Sequence, residues 1–251
     1  EDHSLKLIQT QQEKIDKLEE CGLDHLIQYP FTKSFSRLSA TEFVRDFLVN
    51  KINVNTVVIG YDHHFGRNRE GTLQLLKELG PVYQFKVEEI SAEDIADVNV
   101  SSTKIRKAIL AGDFETANRY LGKAFEVNGK VVEGDKIGRK LGFPTANVEI
   151  LNEDKILPPY GVYIVKVFVG QRIYYGMASF GVRPSIEGNK KVQLEVYILD
   201  FNHDIYKQPI RIHFLKKIRN EIKFDTLDAL QKQIQKDERH TLHWIAEHVD
   251  G

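Results

Sequence analysis

The spacing of apolar positions divides the chain into two stretches of different character. Over residues 6–20, Leu7, Ile8, Ile15 and Leu18 recur as one helix face, and Gly22 supplies a stop. Residues 24–29 read as a short strand. Ser39 or Thr41 can cap a following helix, TEFVRDFLVNKI, that turns Phe43, Phe47 and Leu48 inward. The run VNTVVIG at 54–60 is apolar and ends on glycine, the pattern of a strand covered on both faces of a parallel sheet. A helix is predicted over 71–79, a strand over 83–90, and two short helices over 104–121, broken at Gly112-Asp113. This alternation predicts an α/β domain with a doubly wound parallel sheet.

From Phe125 onward the helical period gives way to short alternating segments: FEVNGKVV, GVYIVKVFV, RIYYGMASF, VQLEVYILD and PIRIHFLKKI. β-branched and aromatic residues dominate them, and turns are signalled at Gly170-Gln171, Gly188-Asn189 and Asn202-His203-Asp204. About six closely spaced strands with no helix between them predict a compact antiparallel barrel or sandwich. Residues 226–248 then carry Leu227, Leu230, Ile234, Leu242 and Ile245, with Val249 just beyond, as a helix packed on the barrel. The fold class is therefore α/β plus all-β, with domains at 1–122 and 123–251.

Composition narrows the classes. A net charge of −1 over 251 residues argues against a general nucleic-acid or membrane-surface binder. The single cysteine, Cys21, excludes an intrachain disulfide and fits a cytoplasmic location. No apolar run reaches membrane-spanning length. The opening EDHSLKLIQT is neither a signal nor a transit peptide, and it enters a helical pattern as if from inside a domain.

The richest chemistry lies in GKVVEGDKIGRKLGFPTAN, Gly129 to Asn147. Gly134, Gly138 and Gly142 let the backbone wrap a polyphosphate, and Lys136, Arg139 and Lys140 can neutralise it. Thr145 and Asn147 offer a hydroxyl and a carbonyl oxygen two residues apart, on one face of an extended segment. Hard oxygens so placed suit Mg²⁺ bridging to phosphates. The spacing is not that of a Walker-type loop, and a glycine-rich hairpin with solvated lysines is the alternative. Phosphoryl transfer to an alcohol also needs a base or positioning group. Glu195 is the candidate: alternation puts Val192, Leu194, Val196 and Ile198 on one face and Gln193, Glu195, Tyr197 and Leu199 on the other. A carboxylate lining the barrel among apolar neighbours would have a raised pKa, whereas a surface glutamate would be inert.

Two motifs in the α/β part sit where ligands approach such sheets, beyond the carboxyl ends of strands. Ser101, Ser102 and Thr103 stand at a predicted helix start, where free N–H groups hold an anion that Arg106 can also reach; plain capping is the alternative. In GYDHHFGRNREG, Asp62, His63, His64 and Arg69 can meet a ligand's polar edge, with Gly60 and Gly66 allowing close approach. Adjacent histidines do not share one face, so His63 and His64 do not read as a metal pair.

Taken together, GRKLGFPTAN, GVY at Gly161 to Tyr163, the GxRPS at Gly181 to Ser185, LEVYILDF, and IRNEIKFDTLDALQKQIQKD from Ile218 to Asp237 resemble, in order, a riboflavin kinase module. GYDHHFGRNREG and VSSTKIR resemble an FMN adenylyltransferase module, and the whole is similar to the bacterial bifunctional riboflavin kinase/FAD synthetase family. The resemblance implies an incomplete Rossmann-like nucleotidyltransferase domain followed by a six-stranded antiparallel barrel. It implies transfer of the γ-phosphate of MgATP to the riboflavin 5′-hydroxyl, giving FMN and ADP, with adenylylation of FMN to FAD as the second activity. Glu195 matches the catalytic base; Gly134, Lys136, Gly138 and Arg139 match the nucleotide loop; Thr145 and Asn147 match the Mg²⁺ and phosphate positions. Arg219, Glu221 and Phe224 match the flavin-side loop. Ser101, Ser102, Thr103 and Arg106 match an ATP motif of the adenylyltransferase, and Asp62, Phe65 and Gly66 its flavin side.

One departure stands out. Family members carry an N-terminal strand and an HxGH-type loop, and nothing here matches them: His3 stands in EDHSLK and His63-His64 lacks the spacing. The expectation for this polypeptide is therefore riboflavin kinase activity with little FAD synthesis. Small-molecule partners are expected, with no nucleic acid and no membrane, and a homo-oligomer is compatible with the sequence. A non-catalytic flavin- or nucleotide-binding fragment and an oligonucleotide-binding barrel are the competing readings.

Overall fold

The computed structural model describes residues 6–90, 100–134, 137–184 and 190–249. In chain order these form α1 (Gln11–Glu20), a helical turn Ala40–Glu42 running into a π-helical segment Phe43–Val49, β1 (Thr56–Gly60), α2 (Leu73–Tyr83) and β2 (Lys86–Ile90). There follow α3 (Ser102–Ala111), α4 (Phe114–Leu121), β3 (Phe125–Val132), a helical turn Ile137–Lys140, β4 (Thr145–Ile150), β5 (Gly161–Val169), β6 (Arg172–Pro184), β7 (Lys190–Ile198), β8 (Pro209–Asn220) and α5 (Leu227–His248). They make two compact units, one of residues 21–99 and one that joins the residues before 21 to those from 100 onward.

In the 21–99 unit, β1 and β2 pair in parallel from Thr56 opposite Lys86 to Gly60 opposite Ile90. Val44, Ile59, Leu76 and Phe85 form its core. Phe35, Phe43, Phe47 and Tyr29 pack tilted, edge-on or stacked on one another, with centroids 4.7–6.0 Å apart. The strand expected at 24–29 does not form. Leu26 and Ile27 are exposed, and among the described residues no ladder partner lies beside them, so their β-propensity has no sheet there to express itself in.

The larger unit is a closed antiparallel barrel of order β3-β4-β7-β6-β5-β8. The strand missing from the five alternating segments is β4, whose Thr145-Ala146-Asn147 start is extended, as the Thr145/Asn147 spacing requires, but lacks an alternating apolar pattern. Inside, Val127, Val165, Val167, Ala178, Phe180, Leu194, Val196 and Ile212 are fully or nearly fully buried. Helix α4 adds Phe114, which meets the rings of Phe125, Tyr163 and Phe214 at 5.3–5.7 Å. Asn118 on the same helix donates to Phe214 O (2.9 Å) and accepts from Phe125 N (2.7 Å), so the strand ends beneath it keep their hydrogen bonds.

Helix α1 begins later than the apolar spacing predicts. Thr10 Oγ1 accepts from Glu13 N (3.2 Å) and Glu13 Oε2 accepts from Thr10 N (2.9 Å), a reciprocal cap that fixes the start at Gln11. Leu7 and Ile8 fall in the extended lead-in: Leu7 bridges to Lys155, and Ile8 packs on the barrel core. The face of α5 also differs from its apolar pattern. Leu227 and Leu242 are exposed, whereas Asp237 and Thr241 are buried, because the barrel surface beneath offers a polar partner to Asp237.

The deepest charged contact joins α1 to the barrel. Lys155 (3% exposed) donates to Glu13 (1% exposed) and to Ile8 O, and its ammonium lies 4.7 Å from the Phe125 ring centroid. Asn128 donates to the other Glu13 oxygen at 3.1 Å. Burial pushes the Lys155 amine below its ordinary pKa, against the pull of the Glu13 carboxylate. Removing either partner alone leaves a buried unpaired charge. Glu13→Ala or Lys155→Ala should therefore destabilise the unit by about 3–5 kcal/mol in a denaturant titration, with Glu13→Met/Lys155→Met together recovering most of the loss.

Candidate active site

The site is built on the outward faces of β4 and β7. On β7, Leu194, Val196 and Ile198 point into the barrel core, so Gln193, Glu195 and Tyr197 point away from it. This corrects the expectation that Glu195 lines the barrel. The interior is filled with aliphatic and aromatic side chains and offers a carboxylate no partner. Glu195 instead stands on the outer wall, in a cavity it shares with residues of α5.

Strand register assembles the polar set. β4 runs antiparallel to β7 with Thr145 opposite Tyr197 and Asn147 opposite Glu195, and Ser179 of β6 lies opposite Glu195 on the other side. Thr145 Oγ1 donates to Glu195 Oε2 at 3.1 Å, and Gln193 Nε2 donates to Asn147 Oδ1. Thr145 and Asn147 thus share the face of β4 that meets the carboxylate. Their hydroxyl and amide oxygens form a hard donor pair that suits Mg²⁺ completed by water and phosphate. Gly134 keeps that place open: a Cβ there would lie 2.0 Å from Asn147 Nδ2.

Two depressions flank Thr145. The first runs over Met177, Ser179, Glu195 and Tyr197, is walled by Leu230 and Ile234 of α5, and has Arg219 and Glu221 among its lining residues. The second lies between Arg139, Pro144 and Thr145 on one side and Phe201, His203, Asp204 and Tyr206 on the other. Thr145 lines both, and the consecutive residues Gly138 and Arg139 line one each. The turn carrying them is tight: Phe143 N donates to Gly138 O at 2.8 Å, and a Cβ at 138 would fall 2.3 Å from Phe143 O.

Helix α5 is tied to this surface by three side-chain contacts. Tyr197 Oη donates to Glu238 (3.0 Å), Gln231 Nε2 donates to Leu141 O (3.0 Å), and Arg219 pairs with Asp237 (2.8 Å). The Arg219 guanidinium also lies 5.9 Å from the Phe224 ring centroid. Arg219 and Glu221 of the expected flavin-side set therefore reach the first depression, whereas Phe224 is placed beside Arg219. Lys136 lies outside the described residues. The 201–206 segment supplies a wall of the second depression as well as the turn expected at Asn202-His203-Asp204; its sequence signal is a histidine and an aspartate between the aromatics Phe201 and Tyr206.

The remaining candidates fall in both units. In the barrel unit, Ser101 Oγ accepts from Lys104 N (3.3 Å) and starts α3, with Ser102 and Thr103 exposed in its first turn. Arg106 donates to Lys6 O (3.0 and 3.3 Å) and to Ser102 O (3.2 Å). In the other unit, Asp62 is exposed after β1, and Phe65 packs on Phe43 at 5.7 Å. Gly66 has φ +74°, and a Cβ there would strike the Ala40 backbone at 2.8 Å, so glycine is required.

Residues 121–245 match a family described as riboflavin kinase, and residues 1–104 match one described as FAD synthetase. The chain is 40% identical over 239 residues to the bifunctional riboflavin kinase/FMN adenylyltransferase of Buchnera aphidicola subsp. Schizaphis graminum, covering 94% of this chain and 76% of that one. It is 39% identical over 227 residues to the Escherichia coli K12 protein of the same description, covering 90% and 72%. A crystal structure of a macrolide-efflux protein from Streptococcus pneumoniae matches with TM-score 0.83 at 34% identity, covering 94% of this chain and 76% of that one. Among the described residues no helix is long and apolar enough to cross a membrane.

Burial, reinforced by the hydrogen bond to Glu238, pushes the Tyr197 phenol up to about 12. A raised value means that the fold favours the neutral phenol. The stability it confers is complete below the ordinary tyrosine pKa of about 10 and is lost as pH rises from there toward the folded value. Thermal melts should show Tyr197→Phe losing less stability than the parent across that alkaline window, and the tyrosinate absorbance of the parent should contain one late-titrating group that the variant lacks.

Proposed function

Because the chain belongs to the bifunctional riboflavin kinase/FMN adenylyltransferase family, we propose that its barrel phosphorylates riboflavin on the outer face of β4 and β7. The kinase activity goes with residues 123–251, and the adenylyltransferase motifs lie within residues 1–122: Ser101, Ser102, Thr103 and Arg106 as an ATP motif in one unit, and Asp62, Phe65 and Gly66 as a flavin-side motif in the other. The observation that carries the kinase reading is the position of Thr145: it lines both depressions and is hydrogen-bonded to Glu195. Transfer between two substrates needs donor and acceptor sites that meet at one point, and these meet there.

The first depression, with its apolar floor and helix wall, takes the flavin ring and presents the ribityl chain to Glu195. The second takes the nucleotide, with Arg139 on its phosphates; Gly138, next to Arg139 in sequence and against Thr145, lines the first depression instead. Glu195 orients the 5′-hydroxyl and accepts its proton as the oxygen bonds to the γ-phosphorus. The bond from that phosphorus to the β-bridging oxygen breaks, and FMN and ADP leave. Thr145 and Asn147 are the residues that would hold Mg²⁺, which when bound neutralises phosphate charge. The exposed lone thiol Cys21 and the bacterial relatives favour the cytoplasm.

Incubation with riboflavin, ATP and Mg²⁺, followed by chromatographic separation of riboflavin, FMN and FAD, tests both activities. FMN should accumulate and should require Mg²⁺. Glu195→Gln should lower its rate by about 10²–10⁴-fold, the usual contribution of a positioned base, with the melting temperature unchanged. An unchanged rate removes Glu195 as the base, and no FMN from the parent chain overturns the kinase reading.

A further inference from the structure

Asp237 is an unusual residue for the middle of a long surface helix. It is 3% exposed, and a buried carboxylate persists only where its oxygens are matched. Here they are matched in full view of the first depression. Arg219 Nε donates to Oδ2 (2.9 Å) and Oδ1 (3.2 Å), Arg219 Nη2 reaches Oδ2 (2.8 Å), and Gln233 Nε2 donates to Oδ1 (2.8 Å). The Arg219 Nη1 group donates in turn to Asn220 O (3.1 Å). Arg219 and Asp237 both line the first depression, and Glu221 follows two residues later.

We propose that Asp237 is the positioning residue of the flavin-side wall: it acts through Arg219, and it governs how well the first depression holds riboflavin. The inference rests on the kinase reading of that depression. The contact is charged, planar and made at two nitrogens, so it fixes the orientation of the guanidinium as well as its place. The helix and the end of β8 are thereby held together across the pocket mouth, and Arg219 through Glu221 present one wall instead of several. A pre-organised wall raises affinity by removing the ordering cost at binding. The second depression does not include Asp237, Arg219 or Gln233, so the nucleotide side should not feel the change.

The test is steady-state kinetics with riboflavin and MgATP varied separately, together with direct titration of riboflavin fluorescence. Asp237→Asn keeps size and removes the charge. It should raise the riboflavin KM and dissociation constant by about ten- to hundredfold, the factor for a lost hydrogen bond to a charged group, while the KM for MgATP stays at the parent value. Arg219→Lys keeps the charge but cannot make the two-nitrogen contact, and should act in the same direction. The Asp237→Asn/Arg219→Lys double variant should be no worse than the poorer single one, because both break the same contact. Should Asp237→Asn fail to fold, Gln233→Ala, which removes only one donor to the carboxylate, should raise the riboflavin KM by a smaller factor. A folded Asp237→Asn or Gln233→Ala with parental riboflavin KM overturns the proposal, as do additive effects in the double variant or a parallel rise in both KM values. If the parent chain forms FMN, those outcomes leave the kinase reading standing; if it forms none, both fall together.

Discussion

Closure of the six-stranded sheet is the constraint from which the rest follows. A closed barrel has one small interior, and here it is filled by Val127, Val165, Val167, Phe180, Leu194, Val196 and Ile212. A filled apolar interior disfavours polar side chains, and the buried Tyr163 hydroxyl is accommodated by donating to Pro159 O. The carboxylate, hydroxyl and amide side chains of β4 and β7 are therefore placed outward. On β4 that leaves Thr145 and Asn147, and on β7 Gln193, Glu195 and Tyr197, and the register between the two strands sets them side by side. The site is a consequence of the core, not an addition to it.

An outward-facing site on a convex barrel would be open to water and shallow. Helix α5 changes that. It crosses the outer face of β6 and β7, contributes Leu230 and Ile234 as a wall, and is held by polar contacts from three separate places: Tyr197 on the site itself, Leu141 on the turn beside it, and Arg219 at the end of β8. These contacts explain why the helix buries Asp237 and Thr241 and leaves Leu227 and Leu242 exposed. Its role toward the barrel is to place a wall at a defined distance, and directional hydrogen bonds do this better than apolar packing, which has no preferred direction.

Much of this was legible in the sequence. Alternation located five barrel strands and put Glu195 on the face opposite Leu194 and Val196, and the helical pattern after Thr226 was right about the element. Both are periodic signals, and periodicity is what a sequence carries directly. What could not be read was which face of β7 is the inside, because both of its faces carry apolar residues: Val192 lies on one and Tyr197 and Leu199 on the other. The missed β4 begins with Thr145-Ala146-Asn147 directly after Pro144, a start with no apolar alternation, and it is a strand because β3 and β7 each supply a ladder. The opposite happened at 24–29, where a β-like stretch found no ladder. The start of α1 was decided by Thr10 and Glu13, a local signal that a search for apolar spacing passes over.

Register makes the site fragile in one specific way. Side chains on a strand alternate, so a slip of β4 by one residue against β7 would turn Ala146 and Val148 outward and carry Thr145 and Asn147 into the core. Glu195 would then lose the Thr145 hydroxyl, and the wall shared by the two depressions would disappear. Two things oppose the slip. Val148 is buried among the interior residues, so the core holds the phase of the strand. The turn before β4 is closed by the Phe143–Gly138 hydrogen bond at a position where only glycine fits, so the point at which the strand begins is fixed as well. Thr145, which meets both depressions, is thus set by a buried valine on one side and a glycine turn on the other.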